Sequence, residues 1–264
     1  MGLVETETHG QVFIVRMNRP ERLNALGNAI RKELAEAWCT LRDRADLEVG
    51  IFTGTGRAFC AGEDMKESLE RGAPGLEDIG EDPFMDGTLP KPVIGAINGY
   101  AMGGGFMLVE RTDLRVSVPE AIFEVSEAKR WLLGGYNHGH VANLPHPVAT
   151  EMALGFRQTA ERLHQVGFLN RLAPADQLIP TAIEMAEHLL TLPPASRVNT
   201  VHMMRNMLPQ VAPDLARLAG RLRNHGHQPD LMESRAAFAE KRKPDFKGWD
   251  DPEDRHRLPQ LGEE

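Results

Sequence analysis

The 264 residues carry 30 Lys and Arg against 38 Asp and Glu, a formal net charge of −8. Hydrophobic residues make up 41% and charged residues 26%, the balance of a folded chain, and the length suits one large domain or one with a small appendage. The acidic balance argues against nucleic acid or an anionic membrane as partner, and two cysteines, Cys39 and Cys60, cannot build a disulfide framework, so a reducing cytoplasm is expected.

Residues 11–17, an apolar run rich in β-formers, predict a strand that Asn18-Arg-Pro20 stops. Ile30, Leu34, Ala37, Trp38 and Leu41 then recur at helical spacing, with Lys32, Glu33, Glu36 and Arg42 on the other faces. Residues 49–53 predict a second buried strand, and 63–72 a helix. The acidic stretch 73–90, rich in Gly and Pro, predicts a mobile loop. Strands over 93–97 and 114–118 bracket a Gly-rich turn and a helix starting near Met102. The uncharged run 93–109 approaches membrane-spanning length, but its glycines and Asn98 make it a strand, a turn and a buried helix start. The acidic N-terminus has no apolar core of a secretory signal. Met1-Gly2 opens a loose myristoylation pattern without polybasic support, which is read as chance.

Beyond residue 147 helices predominate, over 147–155, 159–167, 178–193, 197–208 and 213–224. The last 33 residues are highly charged and predict a surface helix followed by a loose tail. The division expected is an α/β core over 1–195 and a helical C-terminal region with a charged tail over 196–264.

Two glycine-bearing strand-to-helix junctions carry the chemistry: Phe59-Cys-Ala-Gly-Glu-Asp-Met-Lys-Glu67 and Asn98-Gly-Tyr-Ala-Met-Gly-Gly-Gly-Phe106. Nucleotide-binding glycine loops, a nucleophile elbow and an HExxH pair are absent from the sequence. Backbone N–H groups at a helix start point outward, and glycine lets a ligand approach them closely. Two such donors converging on one oxygen stabilise charge that develops on a carbonyl. The same glycines also suit plain helix–strand packing.

In combination these junctions resemble the crotonase, or enoyl-CoA hydratase/isomerase, superfamily. Further matches are Asn18-Arg-Pro-Glu-Arg-Leu-Asn-Ala25, Thr112-Asp-Leu-Arg-Val116, Val166-Gly-Phe-Leu-Asn-Arg171 and Ala237-Phe-Ala-Glu-Lys-Arg-Lys-Pro244, so the resemblance runs from about residue 10 to 248. It implies an α/β fold, a spiral of ββα repeats with a C-terminal helical trimerisation layer, assembled as a homotrimer or a dimer of trimers. It implies an acyl-CoA thioester substrate, no cofactor beyond the CoA moiety, no metal, and neither nucleic acid nor membrane as partner. The oxyanion donors implied are the backbone N–H groups of Glu63 and Gly104. The backbone from Arg22 to Asn24 would lie along the CoA, with Ala61, Asp64, Met65 and Lys66 lining its path. Phe238 and Lys241 resemble residues that cover the CoA nucleotide, often from a neighbouring subunit.

The departures narrow the reaction. Hydratases of the superfamily hold and activate water with two glutamates, and the first of these positions is Met107, whose thioether takes no proton. The second is Glu127, expected to act as general acid/base, with solvated surface acid as the plain alternative. Glu110 follows Met107 by about one helical turn. Beside Arg111 it suits a buried or intersubunit ion pair. Glu124 stands near the pocket, and the Glu63 side chain has the reach to enter the acyl region.

Residues 134–146 replace small residues of the superfamily with Tyr136, Asn137, His138 and His140. Gly135 would offer an N–H to water or substrate. His138, with Tyr136 or His140, becomes a candidate second acid or shaper of the acyl pocket; a metal site with His146 is disfavoured, since no Cys or paired acid joins them. The expected function is an enoyl-CoA hydratase/isomerase-type enzyme, a lyase or isomerase. The alternatives are a crotonase-type C–C hydrolase or lyase using the 136–140 loop, and a degenerate acyl-CoA-binding protein.

Overall fold

The computed structural model describes residues 2–71, 79–131 and 133–262. Strand β1 (Val4–His9) turns back into β2 (Val12–Met17), and α1 (Asn28–Asp43) follows. The five apolar residues predicted on one face of α1 are all buried there, and the helix packs on β1 and β2. Its first turn lacks a side-chain cap of its own. Instead Glu67 accepts a hydrogen bond from the Asn28 N–H at 2.9 Å, placing a carboxylate at the positive end of the helix.

Three turns of a spiral come next: β3 (Val49–Gly54), β4 (Ala58–Cys60) and α2 (Met65–Arg71); β5 (Val93–Ile97), β6 (Tyr100–Met102) and α3 (Gly104–Glu110); then β7 (Leu114–Ser117) and β8 (Ile122–Glu124). In each turn the first strand joins one sheet and the second strand joins another. The larger sheet runs β1-β2-β3-β5-β7-β10 and the smaller β4-β6-β8-β9, and the repeated strands within each are parallel. This is the expected spiral of ββα repeats, and two of its short second strands, β4 and β6, stand beside the glycine turns read from sequence. The polar run Val4–His9 was not foreseen as a strand; it pairs antiparallel with β2 as the outermost member of the larger sheet.

The remaining elements are α4 (His138–Val141), α5 (His146–Ala153), β9 (Gln158–Thr159), α6 (Ala160–Gln165), β10 (Arg171–Leu172), α7 (Leu178–Leu190), α8 (Pro194–Asn206), α9 (Pro213–Leu222) and α10 (Asp230–Ala239). Helix α7 covers the larger sheet over β3, β5 and β7. Helix α8 is tied down by polar bonds: Arg205 grips Asp113 through two nitrogens at 2.7 Å each, and buried Arg197 pairs with Glu48.

Two expectations are corrected. The stretch 73–90 was read as a mobile loop; residues 72–78 lie outside the described residues, but Phe84 and Leu89 are buried in the core. Phe84 stacks on Trp38 at 4.7 Å between ring centroids, so aromatic burial anchors a segment that its Gly and Pro content made look loose. The charged C-terminal stretch was expected to carry a surface helix, yet α10 buries Ser234, Arg235 and Ala237 against α2. A second aromatic group, Phe106 stacked on Phe168 at 5.3 Å, locks α3 beneath the smaller sheet.

Candidate active site

The two glycine junctions meet. Leu26 donates to the Gly62 carbonyl at 2.7 Å, and Asp64 donates to the Leu26 carbonyl at 3.0 Å, a parallel bridge that turns the Glu63 N–H away from Leu26. Gly62 takes φ +86°, and a Cβ there would stand 2.6 Å from the Met102 carbonyl oxygen and 3.2 Å from the Gly104 nitrogen. Only glycine tolerates that approach. A Cβ on Gly104 would in turn stand 3.9 Å from the Glu63 nitrogen. The amides of Glu63 and Gly104 are thus neighbours, the latter in the first turn of α3, where N–H groups have no partner within the helix. Gly105 permits the packing behind them, since a Cβ there would fall 2.1 Å from the Cys60 carbonyl oxygen.

Glu127 closes the other side. It follows β8 and opens a 3-10 turn over Ala128–Arg130; its Oε1 lies 3.9 Å from where a Cβ of Gly103 would be. Gly135 packs against it, with a Cβ position 3.4 Å from the Glu127 Cβ. Around this centre runs a cleft of about 460 Å³. Of the expected residues it is lined by Arg22, Ala61, Glu63, Asp64, Met65, Lys66, Gly104, Glu127 and Phe238. Lys66 and Arg22, with Arg130, Arg157 and Arg235, put cationic groups in the wall of an acidic protein, which suits an anionic ligand.

Several predicted residues do something other than expected. The Asn24 side chain is fully buried and turned inward: its Nδ2 donates to the carbonyls of Ala58 at 2.8 Å and of Thr55 and Phe59 at 3.1 Å. It shapes the loop, and its neighbours Leu23 and Ala25 face the cleft. The Asp64 carboxylate accepts from the Lys66 N–H at 3.1 Å at the start of α2 and pairs with Arg19 at 2.9 Å. Met107 lies in a separate small cavity with Leu26, Trp38 and Phe84. Lys241 is exposed and does not line the cleft. Tyr136, His140 and His146 line a different, apolar groove that α9 walls with Leu215, Leu218 and Leu222. Among the described residues no three His, Cys, Asp or Glu side chains cluster as metal ligands would.

Two ion-pair systems that sequence reasoning missed support the centre. The Glu63 carboxylate is held at 3.1 Å by Nη2 of Arg235 from α10, a side chain with no solvent exposure that also donates to Ser68 at 3.1 Å. Glu110, expected with Arg111 in a buried or intersubunit ion pair, takes Nδ1 of His138 at 2.7 Å, while Arg111 is exposed. Nε2 of the same imidazole lies 3.6 Å from Glu127 Oε1. Burial alone would push the imidazole down, but the bond to Glu110 and the charge of Glu127 outweigh it and push it up to about 10. Burial pushes the Glu110 carboxyl up, and His138 offsets part of that. Both directions keep a proton on the pair at neutral pH. Glu124, at the rim, is drawn below its ordinary value despite burial by bonds from Arg157, Ser126 and Lys129.

Comparison with known proteins agrees with the geometry. Residues 7–249 match the family model described as enoyl-CoA hydratase/isomerase. A carnitinyl-CoA dehydratase of Proteus mirabilis is 34% identical over 256 residues, covering 91% of this chain and 97% of the relative. A mevalonyl-coenzyme A hydratase of Aspergillus fumigatus is 36% identical over 183 residues, covering 66% of this chain and 67% of the relative. The crystal structure of a carnitinyl-CoA hydratase from Mycobacterium avium superposes with a TM-score of 0.80 at 28% identity, over 94% of this chain and 99% of that one. With its spiral of ββα repeats, its paired glycine junctions and a family match over most of its length, the chain belongs to the enoyl-CoA hydratase/isomerase family and is an acyl-CoA enzyme of that type.

Proposed function

We propose that the enzyme interconverts a 3-hydroxyacyl-CoA and a 2-enoyl-CoA, with Glu127 as the one carboxylate that touches the reacting atoms. The observation that carries this is the place of Glu127 Oε1, beside Gly103 and hence beside the Gly104 amide. The thioester oxygen accepts from the Glu63 and Gly104 N–H groups, and Glu127 removes the proton from the α-carbon to leave an enolate. The C3–O bond then breaks, the electron pair of the enolate forms the double bond, and the departing hydroxide takes the proton from Glu127. Water leaves and the carboxylate is restored, so no group beyond the CoA of the substrate is required. Hydration runs the same steps backward. The relatives' names, a carnitinyl-CoA dehydratase and a mevalonyl-coenzyme A hydratase, favour this pairing over other outcomes.

A second reading rests on Met107. One carboxylate can also take the proton at C2 of a 3-enoyl-CoA and return it at C4, an isomerisation without water. Incubation with crotonyl-CoA, 3-hydroxybutyryl-CoA and a 3-enoyl-CoA, followed by mass spectrometry and chromatography, separates the two. Gain or loss of one water, abolished in Glu127→Gln, is the expected result. Migration of the double bond at constant mass favours the isomerase. Turnover unchanged in Glu127→Gln refutes both.

Assembly as a trimer or a dimer of trimers belongs to the same reading. Its support is the apolar surface at the end of α8, where Met203 and Met204, with Met207 just beyond the helix, are 59%, 59% and 70% exposed. Phe238 and Arg130 stack at 4.4 Å over the cleft, as a cover for the CoA nucleotide would. Cys39 and Cys60 are unpaired, which suits a cytoplasmic setting.

A further inference from the structure

Hydratases with two carboxylates share proton transfer between them, and Met107 leaves this chain with one. His138 does not reach the cleft to replace the other; it stands behind Glu127, off the cleft wall. Its side chain is 12% exposed, that of Glu110 7% and that of Glu127 14%, so the three form a row leading from the interior of α3, through the start of α4, to the active carboxylate. Nδ1 is committed to Glu110 at 2.7 Å, which leaves Nε2 facing Glu127 Oε1 at 3.6 Å, an ion-pair rather than a hydrogen-bond distance. Glu127 Oε2 is buried and has no hydrogen-bond partner among the described residues.

We infer that Glu110 and His138 are positioning residues that brace Glu127: Glu110 fixes the imidazole by its Nδ1, and the imidazole holds the Glu127 carboxylate by Oε1 in its place beside Gly103. This rests on the reading of Glu127 as the acid/base. The charged groups facing the pair are Glu127 on one side and, around Glu110, Arg111 and Arg115, the last of which donates to the Glu110 and Val109 carbonyls from β7. Gly135 lies so close that a Cβ there would stand 3.4 Å from the Glu127 Cβ and 3.7 Å from its Oε2, so the backbone there bounds the same side chain from another direction. The arrangement replaces a second carboxylate with a single one of set orientation.

The test combines kinetics and spectroscopy on the full chain. With crotonyl-CoA, His138→Gln is expected to lower kcat by about tenfold to a hundredfold while KM stays within about twofold. Glu110→Gln, which still accepts from Nδ1 but carries no charge, lowers kcat in the same direction by less, and Glu110→Asp restores most of it. Histidine ¹⁵N chemical shifts are expected to report both His138 nitrogens protonated at pH 8 in the native enzyme and to lose one proton at lower pH in Glu110→Gln. A neutral His138 at pH 8, or His138→Gln and Glu110→Gln with native kcat, overturns the inference. If His138→Gln does not fold, the Glu110→Gln and Glu110→Asp pair decides. Full activity in Glu127→Gln, or no turnover of any of the three thioesters by the native enzyme, sinks the reading of Glu127 instead, while the ¹⁵N shifts still decide whether the charged brace exists.

Discussion

The Glu63 carboxylate and the Arg235 guanidinium, 172 residues apart in the chain, meet at 3.1 Å beside the amide of Glu63 itself. A residue whose backbone amide stands beside that of Gly104 is therefore anchored through its side chain to the C-terminal helix. Removing one member of a buried ion pair costs about 3–5 kcal/mol, because the other loses its compensation. With Glu63 partly exposed, the low end is expected for Arg235→Met: about 3 kcal/mol, read as a lower urea midpoint with an unchanged slope. A raised KM for a CoA thioester should accompany it, since α10 also carries Phe238.

Gly62→Ala tests the meeting of the two junctions. Its φ of +86° disfavours any side chain, and the new methyl would press on the Met102 carbonyl, next to Gly104. Loss of one oxyanion donor typically costs about 10²–10³ in kcat. A loss of that order, with a native circular dichroism spectrum, is expected; a kcat within a factor of about three of native would show that the Gly104 amide plays no part.

Asn24→Ala separates shaping from binding. Three carbonyls lose their shared donor inside the fold, and each buried group left unsatisfied costs about 1–3 kcal/mol before water enters. The expected outcome is a thermal midpoint lower by several degrees, together with weaker CoA binding by calorimetry, because Leu23 and Ala25 move with the loop. Unchanged stability would mean that water replaces the amide at no cost.

Stability should also depend on His138 in a stated direction. Its ordinary value is 6.5 and folding pushes it up to about 10, so the folded state binds the proton more tightly. The resulting stabilisation is complete below pH 6.5 and drains away as pH rises through 10. Scanning calorimetry should therefore give a thermal midpoint that falls between pH 6.5 and 10, by roughly 3–6 °C more in the native protein than in His138→Gln. Parallel curves for the two proteins would contradict the imidazolium.

Periodicity and local chemistry made much of this molecule legible in advance. The apolar stripe of α1, the strands that became β2, β3, β5 and β7, and the helices from α5 to α9 stand within a few residues of their predicted places. The glycine junctions were readable because close approach demands glycine and leaves it in the sequence. Strand β1 escaped because Val4–His9 has only one apolar residue, and its strand character comes from pairing with β2. The Glu110–His138–Glu127 row and the Glu63–Arg235 pair escaped for a deeper reason. Neither has a helical or strand spacing, and only the spiral brings α3, α4 and α10 to the same centre. Phe84 was hidden by its neighbours, since glycine and proline describe a backbone and say nothing of an aromatic ring that finds Trp38.

The larger sheet ends in β1, whose Glu5, Thr6, Glu7 and Thr8 are exposed or partly so. An outer strand of this kind offers unsatisfied backbone groups to any passing chain, and carboxylates flanking those groups repel a second copy of the same strand. Continuation of the sheet from molecule to molecule is thereby discouraged. The charges on β1 thus oppose the kind of open, strand-to-strand association that would extend into a fibre.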